Sequence, residues 1–196
     1  MAIQWHMNNT LPPPEPISVV IVEHDRDRAT AHRNRLADRY ATQLVRTGSE
    51  AITAIDADTD VAIIEAELPD ISGLAVIDRV VDAGVRPRFI LLVEPDANPQ
   101  QSTDVVDECL EKPITNEAIA SAVDRLLTID RYGSAKHQLS SDKLARNLLE
   151  MEHRPDELED HPEYQQLVER IEELEAELER VETRVDPADL DRLTSV

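Results

Sequence analysis

The sequence predicts an α/β domain with a doubly wound, five-stranded parallel sheet, followed by an all-α helical hairpin or coiled coil. Between residues 17 and 131, short β-branched apolar runs alternate with amphipathic stretches, as expected of parallel strands joined by helices. Strand signals then stop, and a Glu-rich stretch follows with apolar residues at steps of three and four. Such steps are typical of packed helices.

The predicted strands are near-continuous apolar runs, because helices cover both faces of a parallel sheet. A helix at 74–81 ends before Gly84, a residue suited to helix C-termini, and the last helix of the unit spans 117–127. The five strands are predicted at 17–22, 43–46, 61–64, 89–93 and 107–110.

The chain is expected to have three parts: a disordered tail at 1–16, the α/β unit at 17–131 and a helical region at 132–196. The tail has neither the basic nor the apolar segment of a signal peptide, and no apolar run is long enough to cross a membrane. Cys109 is the single cysteine, so no internal disulfide can form. We therefore expect a cytoplasmic protein with no membrane association.

Charge is the most unusual property of the composition: 41 acidic residues stand against 20 basic ones, for a formal net charge of −21. This excess is typical of proteins from salt-in halophiles, where molar salt shortens the Debye length to about 3 Å and screens self-repulsion. An ordinary acidic protein with a charged helical region is the alternative. In both cases direct nucleic-acid binding is disfavoured, because no basic patch is present.

Ligand sites in doubly wound sheets form at the carboxyl ends of the strands. Glu23 and His24 follow the first predicted strand, and Glu65 follows the third. Val93 ends the fourth strand, and Lys112 follows the fifth. The sequence shows no nucleophile–base arrangement, and its four glycines form no Gly-rich phosphate loop. We therefore expect no enzymatic activity.

Residues 17–130 resemble the receiver domains of two-component response regulators. The features that carry the resemblance are the five-fold alternation, the loop Leu-Pro-Asp-Ile-Ser-Gly at 68–73, and Lys112-Pro113. The resemblance implies a magnesium-binding acidic pair at Glu23 and His24, a phosphoacceptor position at Glu65 and a hydroxyl position at Val93. It also implies a phosphoryl-contacting lysine at Lys112 and, at Cys109, an aromatic that often packs inward on activation.

Most of these positions depart from the family's pattern. Glu65 is one methylene longer than aspartate, which spoils in-line attack. His24 removes a hard oxygen ligand, so we expect magnesium binding to be weak or absent. Val93 has no hydroxyl. These departures predict a pseudo-receiver, with Glu65 either paired with Lys112 as a stand-in for a phosphorylated aspartate or solvated in a vestigial pocket.

Two further interpretations of this pocket concern metal and redox chemistry. Glu23, His24 and Glu65 could bind a transition metal, since histidine suits zinc, iron or nickel, although a carboxylate-rich pocket also satisfies a histidine by hydrogen bonding alone. Cys109 is interpreted as a small core residue rather than a redox sensor, because acidic neighbours disfavour its thiolate.

The C-terminal region is predicted to contain a helix at 135–152, a break at Pro155 and a last helix after His161. The last helix carries a heptad seam that must be covered, either by the preceding helix or by a second chain. Seam residues are Leu167, Ile171, Leu174, Leu178, Val181 and Val185, and Tyr164 precedes them at the same spacing.

The receiver-like unit followed by an acidic helical C-terminus resembles the HalX family, which occurs behind receivers in halophilic archaea. We therefore expect an atypical response regulator of a two-component phosphorelay system, acting by protein–protein interaction with a histidine kinase, another regulator or a second copy of itself. Two alternatives remain open. One is a HalX-type transcriptional regulator that works with a DNA-binding partner, and the other is a regulator that accepts phosphate on a neighbouring acid such as Glu67 or Asp25.

Overall fold

The computed structural model describes residues 16–95 and 105–183 of the chain. Five strands alternate with helices in its N-terminal part, and only helices follow. The strands are β1 (Ser18–Val22), β2 (Ala41–Val45), β3 (Val61–Glu65), β4 (Arg88–Val93) and β5 (Glu108–Glu111). The helices are α1 (Arg26–Leu36), α2 (Gly48–Ala54), α3 (Gly73–Asp82), α4 (Asn116–Glu152), α5 (Pro155–Leu158) and α6 (Pro162–Glu182). Residues 1–15 of the predicted tail lie outside the described residues.

The strands form one parallel sheet in the order β2-β1-β3-β4-β5, which confirms the predicted fold class. The chain leaves β1 towards β2 on one side and returns to β3 on the other, so the strand order reverses between β1 and β3. Val22 pairs with Ile64, which brings the carboxyl ends of both strands to the same level. Glu23 and Glu65 therefore meet at the position where doubly wound sheets bind ligands.

The core lies between the sheet and its helices, which is why the strands are apolar on both faces. Every residue of β3 is buried, including Glu65 at its end. One buried cluster joins β1, β3 and β4 to α2 and α3. Its members are Val20, Val22, Ala51, Ile55, Ala62, Ile64, Val76, Ile77, Val80, Phe89 and Leu91.

Short polar side chains begin the helices of the α/β unit, as N-cap residues do in general. Asp25 caps α1 by accepting from two backbone N–H groups, Thr47 caps α2 in a capping box with Glu50, and Ser72 caps α3. Gly84 follows α3 with a φ of 83°, a conformation that glycine adopts without strain. These caps fix where each helix leaves the sheet.

Helix α4 corrects one expectation from the sequence. Separate helices were predicted at 117–127 and 135–152, but a single helix runs from Asn116 to Glu152. Gly133 does not interrupt it, because a glycine costs a helix only about 1 kcal/mol, and the next proline is Pro155. The chain divides into two compact units, Met1–Val123 and Asp124–Val196, and the predicted boundary between residues 131 and 132 falls within α4.

The helical unit is an antiparallel pairing of α6 with the C-terminal part of α4. The Tyr132 hydroxyl donates to Glu182 at 2.5 Å, whereas Tyr164, at the other end of α6, donates to Glu150 at 3.1 Å. The seam residues Leu167, Ile171 and Leu178 are buried; Leu174 and Val181 pack against the cluster of Tyr132, Ala135 and Leu178. Within the described residues the seam is therefore covered by the same chain. Val185 lies outside them.

A buried acid also joins the two paired helices. Asp142 of α4 is 3% exposed and accepts from the Arg170 guanidinium of α6 at 2.6 and 2.8 Å. This bidentate pair holds the pKa of Asp142 below its usual value, because the hydrogen bonds favour the charged carboxylate. None of the helices in the described ranges is both long and apolar enough to cross a membrane.

Candidate functional site

The Glu65 carboxylate is at the centre of a charged cluster at the carboxyl end of β3. Its side chain is 1% exposed, yet both oxygens have hydrogen-bond donors. Oε1 accepts from Lys112 Nζ and from Arg28 Nη2 at 3.2 Å. Oε2 accepts from the His24 ring through Nδ1 and from the His24 backbone N–H at 3.2 Å. The sequence-predicted residues Glu65, Lys112 and His24 are thus in direct contact.

Lys112 is placed by the end of β5, where its backbone N–H donates to the Val93 carbonyl at 2.9 Å. The peptide bond to Pro113 is cis. The Lys112 side chain is 14% exposed, and its ammonium also contacts Glu94 Oε1 at 2.9 Å. Burial alone would lower the pKa of Lys112, but hydrogen bonds to Glu65 and Glu94 outweigh it and raise the pKa. The lysine is therefore held in its charged form.

Burial and hydrogen bonding also have opposite effects on the pKa of Glu65. Burial favours the neutral carboxyl, but hydrogen bonds from Lys112 and His24 are together stronger, and the pKa of Glu65 falls below its usual value. A carboxylate that accepts several hydrogen bonds remains ionised in this way. Glu65 is thus a buried anion compensated by two cations.

Glu23 is the second buried carboxylate of the cluster, and Arg28 links it to the first. The Glu23 side chain is fully buried, and its Oε1 accepts from Arg28 Nη2 at 3.0 Å and from the Asp25 backbone N–H at 2.9 Å. Its Oε2 has no hydrogen-bond partner. The Arg28 guanidinium therefore bridges Glu23 and Glu65, and these contacts raise the pKa of Arg28.

Arg28 is a site residue that sequence reasoning missed. It lies in the first turn of α1, which begins where Asp25 accepts from the backbone N–H groups of residues 27 and 28. The cap aims this turn back over the ends of β1 and β3. The sequence offers only a weak signal, because α1 also carries Arg26, Arg33 and Arg35, and spacing does not distinguish an inward arginine from exposed ones.

His24 lies at the rim, with its side chain 47% exposed. The Arg46 guanidinium donates to the His24 carbonyl at 2.7 Å through Nη2. One ligand atom each from Glu23, His24 and Glu65 lies within 4.8 Å of the other two, so the residues of the suggested metal site do come together. Glu23 Oε1 and Glu65 Oε1, however, already accept from Arg28, and Glu65 Oε1 accepts from Lys112 as well.

Val93 and Cys109 are placed with the core. Both side chains are partly buried and pack against the buried cluster between the sheet, α2 and α3. Val93 pairs with Glu111 in the ladder between β4 and β5, and Cys109 pairs with Leu91. Both side chains therefore contribute to the packing of the hydrophobic core.

A cavity of about 380 Å³ adjoins the charged cluster. His32 of α1 lines it, 4% exposed, with Nδ1 at 3.3 Å from the Asn116 side-chain oxygen. Burial lowers the pKa of His32, although Asn116 acts against that shift. The other lining residues are Glu23, Arg28, Glu94, Pro95, Lys112, Pro113 and Ile114.

The loop at 68–73 connects the end of β3 to α3 and contacts the start of α2. Asp70 accepts from the backbone N–H groups of Gly48 and Ser49 at 2.8 and 2.9 Å, and from the Ser49 hydroxyl at 2.7 Å, which holds its pKa far below the usual value. A Cβ at Gly73 would overlap the Glu65 carbonyl oxygen. The contacts of Asp70 therefore anchor α2, and Gly73 lets α3 begin close to Glu65.

Residues 128–194 match the model of the HalX domain. The C-terminal region is a HalX domain. A protein of Haloferax volcanii, described as a "Putative transcriptional regulator", is 29% identical over 185 residues, which are 89% of this chain but 30% of that protein. The chain therefore spans less than a third of the length of this relative, and the relative's whole activity does not transfer with the match.

Solved receiver domains share the fold of the part that precedes the HalX domain. The signal receiver domain of a "putative Luxo repressor protein" from Vibrio parahaemolyticus is 24% identical, with a TM-score of 0.53 over 57% of this chain and 90% of that one. A BeF3-activated DrrB receiver domain is 20% identical, with a TM-score of 0.52 over 57% and 97%. At such identities the likeness shows the fold alone, which is the CheY-like receiver fold.

Proposed function

We propose that the protein is a pseudo-receiver that signals by protein–protein contact, in a two-component type of pathway, from one fixed state of its charged cluster. The observation that carries the proposal is the Glu65 carboxylate, whose two oxygens both accept hydrogen bonds from the chain while only 1% of the side chain is exposed. A phosphoacceptor needs a free oxygen in line with the donor. Response-regulator ancestry is supported by the receiver fold and by the HalX domain.

The neighbouring acids do not offer a better acceptor. Asp25 uses Oδ1 to accept from the backbone N–H groups of residues 27 and 28, so modification there would uncap α1. Glu67 is exposed on the loop after β3, and no described contact ties it to Lys112. Glu67 therefore lacks a described contact with a cation that could stabilise a transferring phosphoryl group, and Asp25, although close to Arg28, is engaged in the cap of α1.

A magnesium ion fits this cluster poorly. Magnesium prefers several oxygen ligands in near-octahedral geometry, whereas His24 brings a nitrogen and Glu65 has no oxygen without a donor. Glu23 Oε2 is the one buried carboxylate oxygen of the cluster without a partner. The Arg28 guanidinium occupies the space between the two carboxylates, and we propose that it supplies the positive charge there.

The test is incubation of the chain with acetyl phosphate and magnesium, followed by intact-mass measurement, with a phosphorylatable receiver as the positive control in the same salt. We expect no added phosphoryl group. We expect none for Glu65→Asp either, because Lys112, Arg28 and the ring of His24 still surround position 65. A phosphoryl adduct on the unmodified chain, mapped to any acid of the cluster, would show that the proposal is wrong.

A second candidate function is transcriptional regulation through a DNA-binding partner, which the description of the Haloferax volcanii relative favours. Residues 133–196 hold eight basic and eighteen acidic residues, a net charge of −10, which disfavours direct contact with phosphates. Fluorescence anisotropy with labelled duplex DNA at increasing KCl tests this point. Salt-sensitive binding by the isolated chain would contradict the indirect mechanism.

A further inference from the structure

The outward face of α4 in the HalX domain carries large apolar side chains that nothing in the described structure covers. Leu144, Leu148 and Met151 are 61%, 51% and 84% exposed. Their spacing of four and three residues places them on one side of a helix with about 3.6 residues per turn. Exposed apolar residues aligned in this way mark interaction surfaces more often than singly scattered ones do.

This face is distinct from the one that α6 covers. Ala135 packs with Leu178 of α6, and Asp142 binds Arg170, so these positions define the inward side of α4. Leu144, Leu148 and Met151 lie roughly half a helical turn away from them. Helix α4 therefore has two apolar sides, of which α6 satisfies only one.

The outward face also carries no formal charge. The residues that share it by helical spacing are His137, Ser140, Ser141 and Asn147. The chain as a whole is 31% charged with a net charge of −21, and α6 presents mainly glutamates to solvent. A second copy of so acidic a chain meets the least like-charge repulsion where the surface is neutral.

We propose that this face, Leu144–Leu148–Met151 with its neutral neighbours, is the contact between two copies of the chain. Antiparallel packing of the two α4 helices about residue 146 sets Leu144 of one copy against Leu148 of the partner subunit, as a two-fold contact requires. The register therefore joins apolar side chains to apolar side chains across the two-fold axis.

The experiment is sedimentation equilibrium of the full chain in multimolar KCl, over a wide range of protein concentration. The test variant is Leu144→Gln/Leu148→Gln; both side chains are more than half exposed, so the fold does not depend on them. The control is Glu173→Gln/Glu177→Gln, which changes two exposed positions of α6. We expect a dimer for the unmodified chain and the control, and association weakened at least about a hundredfold in the test variant.

Three results would overturn the proposal. One is a monomer at every concentration, and another is a dimer that the test variant leaves intact. The third involves residues 184–196: if the full chain is monomeric and dimerises only after their removal, the chain's own C-terminal segment covers the face. Circular dichroism of each variant shows whether its helices are intact, so that loss of the dimer is not misread as loss of the fold.

Discussion

At the scale of single residues, Glu65 and its neighbours form a buried charged cluster in the α/β unit. A buried carboxylate is tolerated only when it is paired and hydrogen-bonded, and here Lys112, Arg28 and His24 supply the partners. These partners come from three segments of the chain: α1, the end of β1 and the end of β5. The cluster therefore links the sheet to α1 electrostatically.

Removing the lysine charge tests this link. We expect Lys112→Met to lower the free energy of unfolding by about 2 kcal/mol, since Glu65 loses one of two cations but keeps Arg28. Glu94→Gln, which removes the half-exposed partner of the same lysine, is the control and should cost less than about 0.5 kcal/mol. Urea unfolding at constant salt measures the free energy of unfolding of both variants. Equal losses in the two variants would mean that Lys112 does not stabilise the buried Glu65 carboxylate.

The depressed pKa of Glu65 predicts a dependence of stability on pH. A group whose pKa is lower in the folded state stabilises the fold above its unfolded pKa, and this contribution is lost as the pH falls through the folded pKa. Acidification below the ordinary glutamate pKa of 4.5 should therefore destabilise the unmodified chain more than it destabilises Glu65→Gln. The exposed control Glu67→Gln should behave as the unmodified chain; parallel curves for all three would contradict the pairing.

At the scale of elements, two glycines with opposite environments explain where helices begin and where they continue. Gly133 lies within α4, and a Cβ there would meet no atom within 4 Å; at Gly73, the first residue of α3, a Cβ would overlap the Glu65 carbonyl oxygen. Gly133→Ala should therefore stabilise the chain by about 0.5–1 kcal/mol. Gly73→Ala should destabilise it by about 1–3 kcal/mol. Thermal unfolding followed by circular dichroism measures both, and shifts of the same sign would refute the interpretation.

The pairing of α6 with α4 depends on the buried seam. Leu178 is 7% exposed and belongs to the cluster with Tyr132 and Ala135. We expect Leu178→Ala to cost about 2–3 kcal/mol through lost burial and the cavity left behind. Glu179→Ala, at the next and exposed position, should change stability by less than about 0.5 kcal/mol. Helix content against urea is the measurement, and similar midpoints for both variants would mean that the seam is not packed in solution.

At the scale of the whole molecule, the net charge of −21 opposes the compact state through self-repulsion. Raising the salt from 0.1 M to 1 M shortens the Debye length from about 10 Å to about 3 Å, and salt also strengthens apolar burial when its ions are excluded from the surface. We therefore expect the melting temperature to rise steeply with KCl. A melting temperature that is flat or falls with KCl would contradict the halophilic interpretation of the composition.

Much of the fold could be predicted from local pattern, because each local signal agrees with the global arrangement. The apolar runs of β1, β3 and β4 identified buried parallel strands, and Pro155 and Pro162 marked the end of α4 and the start of α6. The continuous α4 could not be predicted, because Gly133 and Ser134 look like a break. Glycine and serine cost a helix much less free energy than a proline does. The tertiary structure shows that the helix continues, because Tyr132 and Ala135 pack on α6.

Within the candidate site, the rule that parallel strands end at one edge of the sheet predicted that Glu23, His24, Glu65 and Lys112 lie near one another, and they do. Arg28 was missed because its role depends on the direction in which α1 leaves its Asp25 cap, which no spacing rule encodes. The cover of the heptad seam was likewise undecided, since helix pairs within and between chains use the same packing.

The sequence by itself determined the parallel sheet, the glutamate at the end of the third strand and the acidic helical region that follows. These properties depend on residue type and periodicity, which are local. Only the tertiary structure decided that Arg28 and Lys112 both neutralise Glu65, and that the seam of α6 folds back on α4 while Leu144 and Leu148 stay exposed. Such outcomes depend on which distant side chains meet, and burial and charge pairing become definite only when the chain is folded.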